Sequence, residues 1–175
     1  MSSELTGPIP TLRFKFDVVS DIATRYPDAD ASAVTTCIQL LSTMSDLFGA
    51  FDLHYARHGL SRGRFIVLVL LAKGGPEGLS PAELAERAQV TRATMTGLID
   101  TLEQAGLVTR ADDPNDRRMY RVLITENGRA TLESILPDHF RRMEGLLRHL
   151  NGDERLQLRT LLEKVQRGMD AVRIE

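Results

Sequence analysis

The chain has 175 residues, 42% hydrophobic and 26% charged, with a formal net charge of −2 at pH 7. That length suits one ordinary core, or a small recognition module with an interaction arm, and excludes two full enzyme domains. The charge balance excludes a uniformly basic surface, no apolar run is long enough to span a bilayer, and a single cysteine, Cys37, excludes an internal disulfide framework and fits a reducing cytoplasm.

Residues 1 to 30 are irregular. Pro8, Pro10 and Pro27 interrupt any period, yet Leu12, Phe14, Phe16, Val18 and Val19 are too apolar for a solvated tail, so the segment is expected to dock as an N-terminal extension. It carries no basic flank, apolar h-region or small-residue cleavage site, so export is not expected. From Ala31, Val34, Cys37, Ile38, Leu41, Met44, Phe48, Phe51 and Tyr55 recur at helical spacing until His58-Gly59, which predicts one long amphipathic helix. Ser61 is an N-cap for a second helix over Phe65 to Leu71, apolar almost all round and therefore central, ending before the Gly-Gly-Pro-Glu-Gly loop at 74 to 78.

Ser80-Pro81-Ala82-Glu83 combines an N-cap, a proline at the first helical position and a glutamate three residues after the cap, a pattern that starts a short helix running to about Ala88. Thr91 caps the next helix, Arg92 to Ala105, closed by Gly106. The result is helix, tight turn, helix, with Leu84, Ala85, Val90, Met95, Leu98 and Leu102 forming the shared core and Arg92, Ala93, Thr96, Gly97 and Asp100 facing outward. The period then becomes alternating. Leu107 to Arg110 and Met119 to Thr125 read as two strands joined by the turn formers Asp112 to Asp116, a hairpin wing. Arg117, Arg118, Arg121 and Arg129 make this stretch locally basic. Thr125 caps a long helix, kinked at Pro137 and ended by Asn151-Gly152, and Leu156, Leu161, Leu162, Val165, Met169 and Val172 form the seam of a last helix.

A helix N-terminus aimed at a duplex offers unpaired N–H groups and a partial positive charge, so Thr91 and Arg92 suit phosphate while Thr94 and Thr96 reach base edges. Enzyme chemistry is not expected, because the sequence has no metal motif, no nucleotide-binding glycine loop and no catalytic dyad among its four histidines. His54 and His58 have the i, i+4 spacing of a metal pair with Asp52 nearby, but no third ligand follows, so neither metal nor cofactor is expected.

In its order of elements from about Val34 to Val172, the chain resembles the MarR family of bacterial transcription regulators. The resemblance rests on the Leu79 to Gly106 helix-turn-helix, the Gly106-Leu107-Val108 exit, the wing string Asp113-Pro114-Asn115-Asp116-Arg117-Arg118, and Val122-Leu123-Ile124-Thr125 followed by Gly128. It implies a mainly α fold with a small β-hairpin wing: a winged helix-turn-helix over 61–125 and a helical dimerisation arm from 31–60 and 126–175. It also implies a homodimer whose first, fifth and sixth helices interlock, working in the bacterial cytoplasm on a pseudo-palindromic operator with half-sites about 10 base pairs apart. By the same resemblance Arg118 is the wing-tip arginine that enters the minor groove, Asp116 orients it or a neighbouring arginine, and Arg117 serves the backbone.

Members of that family bind small aromatic carboxylate-like effectors in a cleft between arm and winged domain. Here Phe51, His54, Tyr55, His58, Arg62, Arg64 and Phe65 offer an aromatic and cationic set for such a molecule, against the plainer reading of core packing with surface histidines. Cys37 falls near the reactive cysteine of hydroperoxide-sensing relatives, but Leu41 and Phe51 stand where those relatives carry tyrosines, so Cys37 is read as a buried core residue. The expected function is thus a DNA-binding repressor released by an effector. The alternative is a winged helix turned to protein interaction.

Overall fold

The computed structural model describes residues 26, 28–113 and 119–172. The expected docking of residues 1 to 30 falls almost entirely outside the described residues. The first helix, α1, spans Ala31–Ala56, and its start is set by Asp30, whose side chain accepts the N–H groups of Ser32 and Ala33 at 2.9 and 3.0 Å. It stops as expected before Gly59, which takes a left-handed φ of +68°. The central helix, α2 (Arg62–Lys73), is longer than the apolar run alone suggests, because Ser61 caps it at Arg64 and fixes the start at Arg62.

The helix-turn-helix is α3 (Pro81–Ala88) and α4 (Arg92–Gln104). The capping box predicted at Ser80 is closed in both directions: the Ser80 N–H donates to Glu83 at 2.8 Å and the Glu83 N–H donates to Ser80 Oγ at 3.2 Å. Between the helices Gln89 is left-handed, with φ +54°, which turns the chain within three residues. The wing is β1 (Val108–Asp112) against β2 (Tyr120–Ile124), antiparallel, with Val108 opposite Ile124 and Asp112 opposite Tyr120. Leu79 adds a short rung by exchanging backbone hydrogen bonds with Val122 at 3.0 and 2.8 Å.

Helix α5 (Glu126–Leu146) begins at the Thr125 cap and packs its first turn against the exit of α4. Gly128 is required there, since a Cβ would lie 2.0 Å from the Leu107 carbonyl oxygen. The helix continues through Pro137 but ends at Leu146, not at Asn151-Gly152. Asn151 instead opens α6 (Gly152–Arg167) through a capping box with Glu154, a start signal in the place where the sequence suggested a stop. A short 3₁₀ turn, Gly168–Ala171, follows.

The core sits under the helix-turn-helix. Val67, Leu68 and Leu71 of α2 meet Leu84, Met95, Ile99, Leu102, Val108, Val122 and Ile135, all at 2% exposure or less. Ile99 takes a fully buried place that the sequence reading gave to Leu98, which is half-buried beneath Gly63. Because α2 touches α1, α3, α4, α5 and β2, truncating Leu68 to alanine removes packing on several sides at a cost of about 2–5 kcal/mol.

Candidate nucleic-acid interface

The predicted outer face of α4 is open. Residues Thr91 to Thr94, Thr96 and Gly97 are exposed, while Met95 and Ile99 anchor the opposite side in the core. Thr91 Oγ1 accepts the Thr94 N–H at 3.1 Å and lies 2.9 Å from Thr94 Oγ1, so the two hydroxyls form one polar patch at the helix start. Thr96 donates to the Arg92 carbonyl at 3.0 Å and keeps its lone pairs for an outside donor. Arg92 makes no side-chain hydrogen bond or ion pair among the described residues, which leaves its guanidinium available beside the positive end of the helix. Asp100 differs from the expectation: it is half-buried and binds Arg110 of β1, so it belongs to the joint between α4 and the wing.

Asp116, Arg117 and Arg118 lie outside the described residues. Of the other two arginines in the locally basic stretch, Arg129 is exposed, whereas Arg121 is turned inward onto Glu77, Gly78, Glu83 and Asp113. Positive charge near the wing is therefore smaller than the residue count suggests.

The seven residues proposed for an effector divide. Phe51, His54, Tyr55 and Phe65 converge with His139 of α5: the Tyr55 and Phe65 rings stack at 4.5 Å, and His139 stands 5.0 Å from Phe65 and 5.2 Å from Phe51. His54 is no surface histidine, being 2% exposed and 5.9 Å from the His139 ring, while His58 is exposed at the rim, 5.6 Å from His54. Arg62 pairs with Asp52 at 2.6 Å and lies 4.1 Å over the Phe48 ring, tying α2 to α1, and Arg64 reaches Ser61. Asp52 thus already offsets much of the Arg62 charge that an anionic effector would meet.

Burial lowers the His54 pKa, helped by the Arg142, His58 and His139 charges and opposed by Asp138 at 3.5 Å. Burial also lowers that of His139. Sequence reading missed Asp138 and His139 because the contacts that bring them to α1 span eighty residues or more and leave no local pattern. Among the described residues no group of three or more His, Cys, Asp or Glu could hold a metal, and no helix is long and apolar enough to cross a membrane. Cys37, expected in the core, is exposed on α1 of the single chain.

A capped helix pair with an open second helix, buttressed by a hairpin, defines the winged helix-turn-helix class. A family model described as MarR family matches residues 58–119. The HTH-type transcriptional repressor YetL of Bacillus subtilis (strain 168) is 33% identical over 141 residues, covering 81% of this chain and 84% of YetL. A crystal structure of a MarR family transcription regulator superposes with a TM-score of 0.72 over 82% of this chain and 94% of that one, at 18% identity, a likeness of fold. CouR of Rhodococcus jostii RHA1, solved bound to p-coumaroyl-CoA, gives a TM-score of 0.61 at 28% identity over 72% of this chain and 88% of CouR. The chain belongs to the MarR family of transcription regulators, which are DNA-binding proteins without enzymatic activity.

Proposed function

We propose that this regulator acts as a homodimeric repressor on a pseudo-palindromic operator and is released by a small aromatic or anionic effector. The observation that carries the DNA reading is the unobstructed N-terminal half of α4, where the Thr91 cap, an unpaired Arg92 and the Thr94 and Thr96 hydroxyls share one exposed face. Arg92 and Thr91 hold phosphate, Thr94 and Thr96 meet base edges, and Arg118, with Asp116 and Arg117 beside it, carries the wing into the minor groove. Residues 61–125 form the DNA-binding part and residues 31–60 with 126–175 the arm. The site of action is the bacterial cytoplasm.

Self-association is supported by α6, none of whose residues is buried in the single chain although Leu156, Leu161, Leu162 and Val165 share its surface with Met169 beyond. An apolar seam of that size calls for a partner surface. The effector reading is supported by the convergence of Phe51, His54, Tyr55, Phe65 and His139 between arm and winged part, and by the aromatic, anionic ligand with which CouR was solved. An effector can act there only by binding the non-DNA state more tightly.

The test is a salt titration of binding to the protein's own upstream DNA, comparing wild type with Arg92→Ala and Arg118→Ala. Steep salt dependence in wild type, with the slope lowered by roughly one unit for each phosphate contact removed, is the expected result. A freshly purified dimer that binds no DNA at low salt would move the reading to a protein-interaction module.

A further inference from the structure

The wing's two strands each commit one arginine to contacts with the rest of the chain. In the hairpin register Arg110 stands opposite Val122 and Ala111 opposite Arg121. Arg110 and Arg121 therefore occupy opposite faces of the wing, because directly paired residues share a face and successive pairs alternate. On one face Arg110 binds Asp100 and, at 3.1 Å, Glu103 of α4, and its guanidinium lies 5.0 Å over the Tyr120 ring. On the other, Arg121 donates to the Glu77 carbonyl at 2.7 Å, to the Gly78 carbonyl at 2.9 Å and to Asp113 at 3.2 Å, and lies 3.7 Å from Glu83.

The partners of Arg121 are distributed in a way that matters. Glu77 and Gly78 form the loop entering the helix-turn-helix, Glu83 closes the capping box of α3, and Asp113 is the last residue of the wing before its tip. Its own N–H is bonded to Met119 across the hairpin. Gly78 allows the loop to lie this close, since it is left-handed at φ +65° and a Cβ there would sit 2.3 Å from the Val122 carbonyl oxygen. One guanidinium thus joins wing, loop and α3, using a planar fork of donors that lysine cannot reproduce. With its N–H groups so engaged, Arg121 is a poor phosphate ligand despite lying among the wing's basic residues.

We propose that Arg121 is a positioning residue for DNA recognition: with Arg110 on the opposite face, it fixes the direction of the wing relative to α4, so that wing tip and recognition helix meet the duplex together. A two-stranded hairpin has little stability of its own, so the contacts that brace its strands decide where it points. Holding it before binding spares the ordering cost on the DNA. This rests on the reading of Arg118 as a DNA contact, and the test separates the two.

Full-length wild type, Arg118→Ala, Arg121→Gln, Arg121→Lys and the Arg118→Ala/Arg121→Gln double variant are titrated against one operator fragment at several salt concentrations, with thermal melting of each. The clamp predicts that Arg121→Gln weakens binding roughly tenfold and flattens the salt dependence, and that lysine restores little. It also predicts that the double variant binds within about threefold of Arg118→Ala alone, since both remove the same wing contact. Losses that multiply in the double variant, or a loss explained wholly by a smaller folded fraction in the melting data, overturn the proposal, and the milder Arg121→Lys keeps that comparison possible if the glutamine variant folds poorly. If Arg118→Ala binds like wild type, the wing reading falls and takes the clamp with it. If Arg118→Ala is impaired and both Arg121 variants are not, the clamp alone is wrong.

Discussion

His54 shows how one side chain reports on the contact between α1 and α5. Its ring nitrogens and Nδ1 of His139 are buried without a hydrogen-bond partner among the described residues, although Asp138 stands at 3.5 Å from His54 Nδ1. Asp138 is already engaged by Arg141 at 3.2 Å and Arg142 at 2.8 Å, so it offers an incoming proton on His54 only shared compensation. A base whose folded pKa lies below its unfolded value binds fewer protons when folded, so stability is complete above the ordinary value of 6.5 and is lost as pH falls below it toward the depressed value. His139 adds to the same window. The Asp138 pKa is lowered by the hydrogen bond from Arg142, so its contribution is present above its ordinary 3.8 and disappears only in stronger acid. Melting temperature is therefore expected to decline from pH 7.5 to 5.5, with a shallower decline in His54→Phe. A wild-type profile that is flat over that range would rule out the buried neutral histidine.

At the scale of the element, α4 contains a residue that its own chain does not explain. Gly97 sits inside the helix with ordinary helical backbone, and a Cβ there would meet nothing within 4 Å. Glycine in a helix interior costs about 0.5–1 kcal/mol relative to alanine, so Gly97→Ala is expected to raise stability by that amount in a denaturant titration. The same substitution is expected to weaken operator binding, because on the exposed side of α4 the missing side chain leaves room for a close approach of the duplex. Unchanged binding alongside increased stability would mean that DNA does not press on α4 at that turn.

For the whole molecule the decisive feature is the apolar surface that the single chain leaves uncovered, on which the proposed self-association rests. The helix-turn-helix and wing close their core within the chain, while α6, the middle of α1 and the C-terminal part of α5 expose Leu41, Met44, Phe140, Met143, Leu161 and Val165 at 40 to 60%. Fully burying a leucine or valine contributes about 1.5–3 kcal/mol, so two charges on this seam oppose association strongly. Leu161→Asp combined with Val165→Asp is expected to sediment as a monomer at micromolar concentration and to lose tight operator binding, with far-UV circular dichroism largely retained. A double variant that remains dimeric would place the self-association surface elsewhere.

Much of the architecture was legible in the sequence because its signals are local. Ser80 with Glu83, Thr91 with its following helix, and the alternation after Gly106 are determined within four residues by hydrogen-bond geometry and side-chain period. The open face of α4 with Arg92, Ala93, Thr96 and Gly97 follows from the same period, which fails only at Asp100, drawn to Arg110 of the wing. Where a local signal has two meanings, the sequence misled: Asn151-Gly152 reads as a stop until Glu154 is seen closing a capping box on Asn151. Only the tertiary structure decided that His54 is enclosed by His139, that Cys37 is exposed on the single chain, and that Arg121 ties the wing to the loop at Glu77 and Gly78 instead of adding to its free charge. Each of those depends on what distant segments place beside a residue, and burial, pairing and available charge are properties of that neighbourhood and not of the residue's own stretch of chain.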